Sequence, residues 1–237
     1  MIDVHSHILP GIDDGSKDIE MSLQMLKRIS EGFVDTVFLT PHFYADMNDP
    51  VSFLNNRQAS FKKLVEAITT TDAPCPRLVL GSEVHYYRGI GRSEHIDKLC
   101  LGRSRFLLLE PTFREWTPTF VDEVRALSYN GDLKVIIAHI ERYLDQDREL
   151  ISDLLHDRGI LIQSNAEFFI DKKTRRKALK MFDEGFIDLL GSDCHNMTSR
   201  PPDLDEAIGI IKGKFGESAL DHVEELGSVI FDEALNG

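Results

Sequence analysis

Five apolar runs in this chain close on a histidine or a carboxylate, and that repeated design restricts the available folds more than any other feature. The runs are Val37-Phe38-Leu39-Thr40-Pro41-His42, Leu78-Val79-Leu80-Gly81-Ser82-Glu83, Phe106-Leu107-Leu108-Leu109-Glu110, Val135-Ile136-Ile137-Ala138-His139 and a fifth from Ile187 to His195. The fifth closes on both Asp193 and His195. At the N-terminus Asp3-Val4-His5-Ser6-His7, flanked by Ile2 and Ile8, is a sixth segment of the same kind. Runs this apolar are strands buried on both faces, as in a parallel sheet covered by helices. A further strand over Ile160–Ser164 makes seven. Between them, apolar residues at helical spacing predict helices around residues 19–29, 51–69, 94–99, 119–128, 147–157, 172–181, 204–213 and 217–226, with Ser16 as N-cap of the first.

Six of the seven strands end in a residue able to bind a metal. An open, doubly wound sheet gathers its site at a switch point between two or three strands, whereas only a closed or nearly closed ring brings six strand ends to one centre. The expected fold is therefore α/β, a distorted (β/α)7 TIM-like barrel, with residues 1–237 as a single domain and the site at the carboxyl ends of the strands.

Composition narrows the function classes. The formal charge of -13 repels phosphate backbones, so no nucleic-acid partner is expected. No apolar run of 18 residues exists, and the N-terminus leads straight into a strand, so neither membrane insertion nor a signal peptide is expected. Cys75, Cys100 and Cys194 are odd in number and lack metal-like spacing, which fits a reducing compartment and a cytoplasmic protein.

His5 and His7, two apart on a strand, point the same way, roughly 6–7 Å apart along the backbone. Any one strand-end histidine or carboxylate is as easily a solvated rim residue. Eight of them (His5, His7, His42, Glu83, Glu110, His139, Asp193 and His195) on six strands argue for one shared centre. Nitrogen and carboxylate donors without a cysteine pattern suit zinc, manganese or iron, and carboxylates able to bridge suit two or three ions. His85 reads as a neighbour of the centre or a rim residue, and His95, His156 and His222 as surface. The basic run around Lys172 to Lys177 reads as a solvated helix face. Trp116 and Phe120 are packing residues or line the pocket mouth for an aromatic ring. Cys194 and Arg200 have the Cys-x5-Arg spacing of thiolate phosphatases, but the five residues between them include no glycine and Pro201-Pro202 follow, so Cys194 reads as a filler between two ligands.

His5-Ser6-His7, Thr40-Pro41-His42, Gly81-Ser82-Glu83, Leu109-Glu110, Ala138-His139-Ile140-Glu141-Arg142 and Gly191-Ser192-Asp193-Cys194-His195 resemble, in order, the motifs of the polymerase and histidinol phosphatase (PHP) superfamily. With Asp13-Asp14-Gly15 and the run His139 to Tyr143, the chain is similar to the bacterial metal-dependent protein tyrosine phosphatases of capsule and exopolysaccharide synthesis. The resemblance spans nearly the whole chain. It implies a PHP-type barrel with three metal ions, expected to be manganese, with iron, zinc and cobalt also accepted. Carried over by position, His5, His7, Glu83 and Asp193 hold one ion. Glu83 as a bridge, with Glu110 and His139, holds a second, and Asp14, His42 and His195 a third, Asp13 being the alternative to Asp14. Arg142 and Arg200 match phosphate-contacting positions. The implied reaction is metal-dependent phosphomonoester hydrolysis on a phosphotyrosine protein, a bacterial tyrosine kinase of polysaccharide export. Its rivals are a small-molecule phosphatase such as one for histidinol phosphate, and a non-catalytic metal-binding module.

Overall fold

Each long apolar run becomes a strand, and every strand pairing is parallel. A computed structural model describes residues 1–130 and 132–237. The elements in chain order begin with β1 (Ile2–Ser6), α1 (Ile19–Ser30), β2 (Thr36–Leu39), β3 (His42–Phe43), α2 (Pro50–Thr71), β4 (Arg77–Leu80) and β5 (Glu83–His85). They continue with β6 (Phe106–Glu110), α3 (Pro118–Asn130), β7 (Lys134–Ile137), α4 (Arg148–Leu155), β8 (Ile160–Asn165), α5 (Ala166–Ile170) and α6 (Arg175–Asp183). The chain closes with β9 (Leu189–Gly191), α7 (Leu204–Phe215) and α8 (Asp221–Asn236).

The second and third predicted strands are each broken in two. Pro41 offers no N–H to the ladder, which separates β2 from β3, and Gly81-Ser82 separates β4 from β5. The result is one sheet of order β1-β2-β4 and another of order β3-β5-β6-β7-β8-β9. Backbone bonds carry across the breaks, Thr40 N–H donating to Ser6 O at 2.9 Å and Glu83 N–H to Pro41 O at 3.1 Å. A parallel bridge of Ser6 with Cys194 joins the chain beyond β9 to β1. This is an α/β fold whose parallel strands curve as a half-barrel.

Local chemistry sets the helix ends. Asp49 caps α2 by accepting from Ser52 N–H, with Pro50 in the first turn where its missing donor is harmless. Asp147 caps α4 through Glu149 and Leu150 N–H. Ser16 is not the cap of α1; Asp18 is, accepting from Met21 N–H at 2.9 Å, while the Ser16 hydroxyl donates to Asp18 O. The predicted helix at 94–99 is a 3-10 turn over Ile96–Leu99, and the basic helix starts at Arg175, after a turn.

Strand side chains alternate between two cores. Leu107, Leu109, Val135 and Ile137 belong to the larger apolar cluster, with residues of the covering helices such as Val121, Val124 and Leu154. Val4, Phe38, Phe106, Leu108, Ile136 and Leu189 form the smaller one, with Ile230 and Ala234 of α8. Thus α8 packs under the amino ends of the strands, and their carboxyl ends stay free for polar groups. Among the described residues no helix is long and apolar enough to cross a membrane.

Candidate metal centre

The carboxyl ends of β1, β6, β7 and β9, with the first residues of β3 and β5 just beyond the ends of β2 and β4, bring all eight predicted strand-end residues together. Glu83 lies at the middle, fully buried. Its Oε1 is 2.7 Å from His139 Nε2, and its Oε2 is 2.8 Å from His42 Nδ1, 3.2 Å from His5 Nε2 and 3.3 Å from His7 Nε2. His5 and His7 do point the same way, with their Nε2 atoms 3.1 Å apart. Asp193 Oδ1 is 3.5 and 3.3 Å from those two nitrogens. Glu110 Oε1 lies 3.5 Å from His139 Nε2, while its Oε2 pairs with His85 Nδ1 at 2.9 Å.

Four triads can each hold an ion: His7, His42 and His195; His5, His7 and Asp193; His5, Glu83 and His139; and His42, Glu83 and Glu110. Asp14 Oδ1 adds a carboxylate beside the first, 3.4 Å from His42 Nε2 and 3.5 Å from His195 Nε2. Asp13 instead sits behind His7, its Oδ2 2.8 Å from Nδ1 and also accepting from His42 N–H. Of the two aspartates left open by the sequence, Asp14 is the one facing the triad.

Neighbouring elements fix this geometry. Arg57 of α2 donates to Gly81 O and Ser82 Oγ, pinning the chain just before Glu83. His139 and Asp193 hold left-handed backbone, φ 34° and 52°, a conformation non-glycine residues adopt at a cost of about 1–3 kcal/mol.

The electrostatics and the unpaired atoms both fit cations. Burial pushes the Glu83 carboxyl up, but the His5 and His42 imidazoles outweigh it and hold it well below the ordinary carboxylate range. Burial lowers the histidines, yet the Glu83 charge and the Asp14 contact bring His42 up to about 9, and Glu110 and Glu83 bring His139 up to about 9. Buried Glu83 Oε2, Asp193 Oδ1, His42 Nδ1 and His195 Nε2 meet one another and neighbouring ring or carboxylate atoms at 2.8–3.5 Å without a hydrogen bond of good geometry. Donor atoms that converge in this way without satisfying one another suit a shared cation. The all-nitrogen-and-oxygen donor set fits manganese, iron, cobalt or zinc.

Arg142 and Arg200 reach the cluster from its rim. Their Nη2 atoms lie 2.6 and 2.5 Å from the same oxygen, Asp193 Oδ2, to which Asn165 Nδ2 also donates at 2.7 Å. The other edges of both guanidinium groups remain available to a phosphoryl oxygen.

Cys194 is fully buried, and burial together with the Asp3 charge keeps its thiol protonated. The loop after it forms no phosphate cradle, because Asn196 Oδ1 takes the N–H groups of Thr198, Ser199 and Arg200. Cys194→Ser should therefore retain activity and metal content, and brief alkylation of the native protein should leave turnover intact, as assayed before and after treatment. Inactive Cys194→Ser protein with its metal retained would restore a thiolate mechanism.

Trp116 and Phe120 are buried packing residues and not the mouth of the site. The rim aromatics are Tyr44, His85 and Phe113: His85 stacks 5.5 Å from the Phe113 ring, which is 62% exposed, and lies 5.3 Å from Tyr44. The only available signal for Phe113 is its position three residues past Glu110. His95, His156 and His222 join none of the triads. In the basic run, Arg175 is tied down by donating to Phe169 O and Ile170 O.

Fold and site together define an α/β protein with a histidine and carboxylate cluster, fit for several metal ions, at the carboxyl ends of parallel strands. Residues 1–226 match the model of the family described as capsular polysaccharide synthesis, CpsB/CapC, and the chain belongs to that family. It is 29% identical over 237 residues to tyrosine-protein phosphatase CpsB of Streptococcus agalactiae, covering 92% of each chain. To tyrosine-protein phosphatase YwqE of Bacillus subtilis it is 28% identical over 228 residues, covering 91% of this chain and 85% of the relative. A solved structure from work on YwqE of Bacillus subtilis and CpsB of Streptococcus pneumoniae, described there as unique metal-dependent tyrosine phosphatases, matches with a TM-score of 0.83. That match covers 98% of this chain and 95% of the other at 23% identity, and it establishes the likeness of fold.

Proposed function

We propose that this chain is a metal-dependent phosphomonoester hydrolase that removes phosphate from phosphotyrosine on a protein, in the manner named for its CpsB and YwqE relatives. The observation that carries this reading is the convergence of the His5, His7, His42, His139, His195, Glu83, Glu110 and Asp193 side chains beneath two rim guanidinium groups. The partner is a tyrosine kinase of capsular or exopolysaccharide synthesis, in keeping with the family's description. The protein acts in the cytoplasm, with no nucleic acid and no membrane insertion. Residues 1–237 work as one domain, a distorted seven-stranded TIM-like barrel of PHP type, a reading supported by the Ser6–Cys194 bridge.

Three ions are expected, manganese first and iron, zinc or cobalt as substitutes. His5, His7, Glu83 and Asp193 would hold one; Glu83, Glu110 and His139 a second; Asp14, His42 and His195 a third. When bound, such ions neutralise phosphoryl oxygens and lower the pKa of the attacking water. Arg142 and Arg200 orient the remaining phosphoryl oxygens, held at the correct edge by Asp193. The exposed Phe113 ring supplies an apolar face for the tyrosyl ring. A tyrosinate leaving group, with a pKa of about 10, departs with little protonation, so no dedicated general acid is demanded.

The test is metal analysis of purified protein with turnover of phosphotyrosyl peptides and of histidinol phosphate, before and after chelation. Chelation should abolish turnover and manganese should restore it. A strong preference for histidinol phosphate would favour the small-molecule reading, and less than one ion per active chain would defeat the scheme.

Arg200→Lys separates binding from the centre itself. It keeps the charge and loses the fork, so kcat/KM should fall about ten- to hundredfold, the worth of one charge-assisted hydrogen bond at roughly 1.5–3 kcal/mol. Metal content should be unchanged and inhibition by free phosphate weaker.

A further inference from the structure

Strand β8 is the one long strand that brings no metal-ligand type to the centre, yet its two polar residues are wired into it. Gln163 and Asn165 are two apart, so both side chains point to the same side as the cluster, and both are buried. Gln163 Oε1 accepts from His139 N–H at 2.8 Å and lies 3.2 Å from His5 Nδ1. Gln163 Nε2 donates to Asn165 Oδ1 at 3.0 Å, and Asn165 Nδ2 donates to Asp193 Oδ2 at 2.7 Å.

The direction of this chain is forced at both ends. A backbone N–H can only donate, so the Gln163 atom facing His139 is the oxygen. The Asp193 carboxylate can only accept, so the Asn165 atom facing it is the NH2 group. Each amide is thereby fixed in one orientation, and the middle bond runs from Gln163 to Asn165 without conflict. With an oxygen opposite His5 Nδ1, that nitrogen must carry the proton, so in the neutral ring Nε2 is the lone pair turned toward His7, Glu83 and Asp193. His7 is held in the same sense by Asp13 at its own Nδ1. Glu141 secures the end of the strand, accepting from Ser164 Oγ and Asn165 N–H.

We propose that Gln163 and Asn165 form an amide relay that dictates which nitrogen of His5 carries the proton and holds Asp193 for its neighbours, making β8 a positioning strand of the centre. Its bearing on metal affinity rests on the metal-centre reading above, whereas its effect on the His5 ring stands independently of any ion. Partners that fix the tautomer of a ligating histidine typically govern metal affinity by about ten- to hundredfold.

Two measurements test it. In nitrogen-15-labelled, metal-free protein at mildly alkaline pH, long-range correlation spectra of the imidazole rings should show a protonated, exchange-protected Nδ1 on His5. That protection should be lost in Gln163→Leu. A bare His5 Nδ1 in the native protein overturns the relay, whether or not any variant folds. Zinc affinity, read by competition with a chromophoric chelator, should fall about ten- to hundredfold in Gln163→Leu and in Asn165→Leu. Affinities within about twofold of the native chain for both single variants overturn it as well. Native protein that binds no zinc while its His5 Nδ1 is protonated would count against the metal centre and leave the relay standing.

Discussion

Glu83→Gln should lower kcat/KM at least about a hundredfold, the scale of losing a group that stabilises the transition state through a shared charge cluster. Glutamine keeps the shape of the side chain and removes its charge, so the loss reports the charge and not the packing. The carboxylate faces four imidazoles, with His139, His42, His5 and His7 all within 3.3 Å of one or other oxygen. Among the described residues no other carboxylate lies against as many imidazoles of the cluster, and a neutral amide would turn N–H donors toward at least one nitrogen that must offer a lone pair. Metal content should fall together with turnover. Near-normal turnover of E83Q with full metal content would remove Glu83 from its bridging role.

Gly191→Ala should disable the site without replacing any ligand. A Cβ there would lie 2.6 Å from His5 Cβ and 2.9 Å from Gln163 Nε2. Neither neighbour can yield cheaply: His5 Cβ is fixed by β1, and Gln163 is held by His139 N–H and Asn165. Overpacking of this kind costs about 1–3 kcal/mol, which in a chain of this size lowers Tm by roughly 2–12 °C. The matched control is Gly209→Ala in α7, where an added Cβ meets nothing. That change should be neutral or stabilising by up to about 1 kcal/mol, the difference in helix propensity. Thermal melts and phosphatase assays of the two variants check both halves, and equal behaviour of the pair would refute the steric argument.

How much of this was legible in the sequence depended on whether a residue's role follows from its own strand. His42, Glu83, Glu110 and His139 each close a buried apolar run, so parallel pairing alone carries them to one end of the sheet. The polar pair Gln163 and Asn165 obeys the same two-residue alternation as His5 and His7, but amides are ordinary near strand ends, and what they bond to depends on strands far away in sequence. The choice between Asp13 and Asp14 was hidden because it turns on the path of a loop. Likewise, positive φ at His139 and Asp193 belongs to the way each strand leaves the sheet, and no local motif encodes it for a histidine or an aspartate. Trp116 and Phe120 are as apolar as Phe113, and only burial by α3 and its neighbours separates packing rings from a rim ring.

Burial across the centre is graded, from Glu83, His5, His7 and His139 with no exposure, through His42 at 12%, to the Asp14 side chain at 69%. Exchange kinetics should follow that gradient. An ion beside Asp14, His42 and His195 would equilibrate with the surrounding metal pool, while ions among the buried residues would be retained from the time of folding. A chelator pulse should then remove metal in two resolved phases, and growth in one metal followed by purification in another should yield molecules of mixed composition, with the foreign ion at the Asp14 end.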